Sequence, residues 1–131
     1  MVLPSRYVSV AIACPPDRVY AYASDPSHLP EWAAGLSGSI TNENGTWVAE
    51  SPMGRITIAF VPQNPYGVLD HTVTLPSGEK VLNPMRVVPN GDGSEVCFTL
   101  FRRPGMSDAE FETDADMVAR DLEKLKTILE S

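Results

Sequence analysis

Hydrophobic and polar positions along the chain follow two periods. "RYVSVAIAC" (6–14) alternates and is rich in Val and Ile, which predicts a first strand. "PPDRVYAYASD" (15–25) opens on prolines, which suit the first turn of a helix, and puts Val19, Tyr22 and Ala23 on one face, so a short helix follows. "PSHLPEWAAG" (26–35) predicts a second short helix, with Ser27 as its cap and Gly35 as its stop. Turn signals then recur at short intervals: Asn44-Gly45, Pro52-Met53-Gly54, Asn64-Pro65-Tyr66-Gly67, Pro76-Ser77-Gly78 and Asn90-Gly91-Asp92-Gly93. Between them lie "SGSITN" (37–42), "TWVAES" (46–51), "RITIAFV" (55–61), "VLDHTVTL" (68–75), "KVLNPMRVV" (80–88) and "EVCFTLFRR" (95–103), six strand-like runs. Asn-Gly between two such runs is a hairpin signal.

The period changes again in "MSDAEFETDADMVARDLEKLKTILES" (106–131). Ser107 with Glu110 forms a capping box, and Phe111, Ala115, Val118, Leu122, Leu125 and Leu129 recur at steps of four and three. This is one long amphipathic helix. The chain is therefore expected to be a single α+β domain over residues 1–131. It should hold a seven-stranded curved antiparallel sheet around the C-terminal helix, with two short helices after the first strand. An antiparallel sheet buries one face, and only the long helix can cover it. A space between sheet and helix, plugged at one end by the short helices, is where a small-molecule site would form.

Composition narrows the function classes. Hydrophobic residues make up 43% of 131, enough for a core. No apolar run approaches the ~20 residues of a membrane span, and the start lacks the basic-then-apolar order of a secretion signal; a cytoplasmic protein is the expectation. The net charge of −7 argues against nucleic acid as a partner. Much of it lies in residues 108–131, with eight acids against three bases, a pattern that suits a solvated helix face or an acidic docking surface. Cys14 and Cys97 sit in apolar runs and read as buried thiols. There is no C-x-x-C, H-x-H or H-E-x-x-H, so no metal and no cofactor is expected.

One polar residue falls on an apolar face. In "VLDHTVTLP" (68–76), Leu69, His71, Val73 and Leu75 form the inward set, while Asp70 alternates outward to solvent. His71 is either a core imidazole bonded to a neighbour or a polar contact for a ligand; in both cases burial demands a partner. Pro84, within 80–88, cannot donate to a ladder and implies an edge or a bulge. Past it the direction of Met85 and Arg86 is open: Met85 would suit an adaptable pocket wall, and an inward Arg86 would need an acid, for which Asp114 beside the helix stripe is the candidate. Trp32 ends the second short helix, where it either gates a pocket mouth or packs the plug. Phe60 shares a face with Ile56 and Ile58. Phe98 goes with Val96 and Leu100, or else Phe101 faces in with Cys97 and Thr99. Phe111 and Val118 complete the candidate lining from the helix. His28, in "SHLPEW", falls on a turn and receives no role.

The element order and the stretch "VSVAIACPPDRVYAYASDPSHLPEW" resemble the helix-grip fold of the START-like, Bet v 1-like superfamily (SRPBCC), which includes polyketide cyclase/dehydrase and lipid-transport proteins. "GVLDHTVTLPSGEKVLNPMRVVPNGDGSEVCFTLFRRPGMSD" is similar to small bacterial members. The resemblance implies an internal cavity for a hydrophobic or amphipathic small molecule, in a monomer or homodimer. It also leaves two other functions open. One is a cyclase/dehydrase-like enzyme, with His71 as acid or base on a bound polyketone. The other is a protein-interaction module of the chaperone-activator kind, using the acidic helix face.

Overall fold

The computed structural model describes residues 1–34 and 39–131. β1 (Ser5–Ile12) leads through Cys14 and Pro15 into α1 (Pro16–Ala23). A single 3-10 turn (Pro26–His28) precedes α2 (Leu29–Trp32). Seven strands follow: β2 (Ile40–Glu43), β3 (Thr46–Ser51), β4 (Gly54–Phe60), β5 (His71–Thr74), β6 (Lys80–Asn83), β7 (Met85–Asn90) and β8 (Gly93–Phe101). The chain ends in α3 (Asp108–Glu130). The reciprocal hydrogen bonds of Ser107 and Glu110 cap α3 as the sequence predicts. The cap before α2 is not Ser27. The Asp25 side chain accepts from the Ser27 N–H and from its hydroxyl. The expected stop at Gly35, and the start of the 37–42 run, lie outside the described residues.

Among the described residues the strands number eight rather than seven, and they form two antiparallel sheets, ordered β1-β8-β7 and β2-β3-β4-β5-β6. Pro84 is the reason. It offers no N–H, so the run 80–88 breaks into β6, which pairs with β5, and β7, which pairs with β8. The break is not a free edge. The Pro84 carbonyl still accepts from Thr99 N–H at 2.9 Å, so β8 continues past the corner. The expected strand 68–75 is divided in the same way. Val68 bridges to Arg86 in the smaller sheet, whereas His71–Thr74 pairs with β4 and β6 in the larger.

The Asn44-Gly45 turn has φ of 57° and 91°, the left-handed pair that a two-residue hairpin requires, and it sets Glu43 opposite Thr46. The core follows the two sequence periods. Val10 and Ile12 of β1, Val96, Phe98 and Leu100 of β8, and Ala115, Leu122, Leu125 and Leu129 of α3 are all buried. Of the two faces of β8, the one bearing Phe98 is therefore inward. Arg6 ties the outer end of β1 to α3 by an ion pair with Glu112, and its guanidinium lies 5.4 Å from the Phe111 ring centroid. α3 rests mainly on β1, with further contacts to β8 and α2. β4, β5 and β6 curve away from it, and the space left between is the cavity.

Candidate functional site

The cavity measures about 260 Å³, a little below the ~300–1,000 Å³ usual for small-molecule sites. Ile56 and Ile58 of β4, Val73 of β5 and Val118 and Leu122 of α3 supply apolar walls, with Phe98 and Leu100 of β8 behind them. Leu29 and Trp32 close one side from α2. The alternation of β5 puts His71 on the same wall as Val73 and the following Leu75, as its inward set predicts.

Three contacts fix the imidazole of His71. Its face lies on Phe60, with centroids 4.7 Å apart and planes 26° apart. Phe98 packs against it edge-to-face, at 6.1 Å and 64°. Nδ1 is 3.0 Å from the carbonyl oxygen of Leu69. A carbonyl can only accept, so Nδ1 carries the proton and donates. In the neutral ring this leaves Nε2 as a bare acceptor. Among the described residues Nε2 has no hydrogen-bond partner and is not fully buried, so it is the nitrogen that meets the cavity. Burial lowers the His71 pKa from 6.5, against smaller opposing effects of the Leu69 carbonyl and the Asp70 charge. The ring is therefore neutral at pH 7.

Four other polar side chains reach the cavity. Asp114 and Asp121 project from α3 two turns apart, Arg103 comes from the segment after β8, and Asn83 ends β6. Desolvation raises the pKa of Asp114, with Arg103 opposing and Glu110 assisting. Desolvation likewise raises Asp121, opposed by the Ala34 N–H and by Lys124. Asp121 accepts from that N–H at 3.0 Å, which ties the chain just after α2 to the long helix. Arg103 is committed to Glu79, at 3.1 Å.

The candidate residues are only partly gathered here. Trp32, His71, Phe98, Asp114 and Val118 line the cavity. Phe60 does not, and instead backs the imidazole. Met85 is 1% exposed and packed in the core behind the wall, not on it. Arg86 points outward, and its acid is not Asp114 but Asp70, at 3.1 Å. Asp70 is accordingly not simply solvated: it also accepts from the Met85 N–H at 2.9 Å. Phe111 is buried beneath Arg6, away from the cavity. Trp32 serves as a packed wall: it is 4% exposed, and its indole N–H is sealed with no partner among the described residues. His28, assigned no role, stacks on Tyr22 at 4.2 Å and pairs through Nδ1 with the Tyr22 carbonyl.

Asp121 and Arg103 escaped the sequence reading. The signal for Asp121 was present, since Asp114, Val118 and Asp121 follow one flank of the helix at steps of four and three. No comparable signal marks Arg103. Among the described residues no cluster of His, Cys, Asp and Glu could hold a metal, and no described helix is long and apolar enough to cross a membrane.

Two antiparallel sheets curved around one long C-terminal helix, with short helices over one end of the gap, define a helix-grip protein of the Bet v 1-like class. Residues 5–130 match the family model described as polyketide cyclase/dehydrase and lipid transport, and the chain belongs to that family. Solved structures agree on the fold. The protein XoxI from Bacillus cereus is 16% identical, with a TM-score of 0.75 over 97% of this chain and 96% of that one. The Aha1 dimer from Colwellia psychrerythraea is 17% identical, with a TM-score of 0.74 over 99% and 97%. Ara h 8.0201 is 14% identical, with a TM-score of 0.69 over 98% of both chains. No curated protein matches the sequence.

Proposed function

We propose that the protein binds a compact hydrophobic or amphipathic small molecule in the cavity between α3 and the five-stranded sheet. The observation that carries this is a mostly apolar space with a fixed, unpartnered acceptor on its wall, the Nε2 of His71. Apolar burial would supply the affinity, at roughly 25 cal/mol per Å² before ordering costs. The polar group would set orientation. The volume of about 260 Å³ suits one or two rings better than a two-chain lipid.

Catalysis by His71 has less support. Its hydrogen-bond partner among the described residues is a backbone carbonyl, with no side-chain acid or base to relay a proton. Binding is the reading the geometry favours.

Native mass spectrometry of the purified protein, followed by organic extraction, tests it against Val118→Trp, which fills the cavity. The expected result is a co-purifying lipophile, or an added one, retained by the wild type and lost in the variant. Equal retention by both proteins would overturn the cavity as the site.

A further inference from the structure

The polar atoms that face the cavity are unequally divided between donors and acceptors. His71 Nε2 can only accept, because Nδ1 holds the proton for the Leu69 carbonyl. The carboxylates of Asp114 and Asp121 accept when ionised. On the donor side, the Arg103 guanidinium gives one nitrogen to Glu79 at 3.1 Å, and its charge is balanced by Glu79 and the nearby Asp114. The Trp32 N–H is fully buried. Asn83 can serve either way. His71 is the buried one among these polar residues, so the polar atom offered among the apolar walls is an acceptor, its ring packed against Phe60 and Phe98.

We infer that the cavity selects a flat, compact ligand carrying a hydrogen-bond donor, such as a phenolic or enolic hydroxyl, which it gives to Nε2 of His71, and that it discriminates against carboxylates. This rests on the cavity reading above and adds the ligand's chemical class. An apolar ligand of the same shape would leave the buried acceptor unpaired, which is costly. A carboxylate would bring a second acceptor to Nε2 and add charge beside Asp114 and Asp121. Fatty-acid-like anions are thus the wrong class, although they are apolar enough to enter.

Three probes separate the possibilities: 2-naphthol, its near-isostere 2-fluoronaphthalene, and 2-naphthoate. Each is titrated near neutral pH by calorimetry against the wild type, His71→Phe and Val118→Trp. Partition alone favours the fluoro compound, which sheds less water than the phenol. The expected result is the reverse. 2-Naphthol should bind the wild type at least ~10-fold more tightly than 2-fluoronaphthalene, about 1.4 kcal/mol, with 2-naphthoate weakest. His71→Phe should remove that preference, and Val118→Trp should abolish binding of all three. If the phenol and the fluoro compound bind the wild type alike, or the carboxylate binds best, donor selection is wrong while the cavity reading stands. If none of the three binds the wild type, the cavity reading falls and this inference with it. The wild-type comparison is decisive even if a variant does not fold.

Discussion

His71 and Phe60 face each other directly across β5 and β4, and their rings stack at 4.7 Å. The pairing couples a titratable group on the cavity wall to an apolar ring that keeps water from one of its faces. The acid stability of the fold should register this. With its folded pKa below 6.5, His71 resists a proton that the unfolded chain accepts. Its contribution is full above pH 6.5 and is lost as pH falls through the folded value. Urea unfolding from about pH 8 to about pH 5 should show this loss in the wild type and a shallower one in His71→Phe. Phe60→Ala, which admits water to the ring, should cost ~1–3 kcal/mol and bring the His71 titration back toward 6.5 by NMR. A His71 resonance that titrates above 6.5 in the wild type would contradict the buried neutral ring.

Asp70 and Arg86 pair across the corner at Pro84, and the two partners should not be equally important. Asp70 holds the Met85 N–H at 2.9 Å as well as the guanidinium. Arg86 keeps 53% of its side chain exposed. Asp70→Ala removes the acceptor for a backbone donor at the junction of the two sheets and should cost ~1–2 kcal/mol. Arg86→Ala should cost less than ~1 kcal/mol, as exposed pairs usually do. Burial lifts the Asp70 pKa, but the bonds from Arg86 and Met85 outweigh it, and the net shift is below 3.8. The stabilisation is therefore present above pH 3.8 and lost as pH falls through the lower folded value. Equal losses in the two variants by chemical denaturation would show that the ion pair, not the backbone bond, holds the corner.

That corner also marks where sequence reasoning stopped. The two-residue period placed His71, Val73 and Leu75 inward, and the helical stripe placed Val118 and Leu122 against them, because side-chain direction within a regular element is a local property. Pro84 announced a break without saying which sheet each half joins. That depends on pairing with residues far along the chain, as in Thr99 N–H to Pro84 O and Leu69 N–H to Met85 O. Met85 and Arg86 could not be oriented for the same reason. Arg103 follows the last strand in an irregular segment with no period to read. The fold was legible from periodicity and turn chemistry; the cavity's polar inventory needed the tertiary pairing.

Gly67 should be among the least replaceable positions outside the core. Its φ is +72°, and a Cβ there would sit 2.2 Å from the backbone oxygen of Val87. The same two residues are joined by the Val87 N–H to Gly67 carbonyl bond at 3.0 Å, so neither segment can move away freely. Gly78 has φ +91° with open space around it. Gly67→Ala should therefore cost more than ~2–3 kcal/mol, against ~1 kcal/mol for Gly78→Ala, where only the backbone conformation is strained. Similar denaturation midpoints for the two would mean that the close approach at Gly67 relaxes without cost.

Asp121 links stability to entry into the cavity. Its carboxylate accepts from Ala34 N–H at 3.0 Å and so anchors the end of the α2 plug to α3. Desolvation raises its folded pKa above 3.8. The folded state therefore gains by binding the proton. The contribution is most favourable below pH 3.8 and declines as pH rises through the folded value, leaving a partly desolvated charge at neutral pH. Asp121→Asn keeps an oxygen for Ala34 and discards that charge, so it should match or slightly exceed the wild type in stability at pH 7 and lose its advantage in acid. Asp121→Ala leaves the N–H without its acceptor and should cost ~0.5–1.5 kcal/mol. Loosening the plug should also show in kinetics. Stopped-flow release of 2-naphthol should be several-fold faster from Asp121→Ala than from Asp121→Asn, with a smaller change in equilibrium affinity. Identical release rates from both variants would mean that the Ala34 bond does not govern access, and that ligand passes by another side of the cavity.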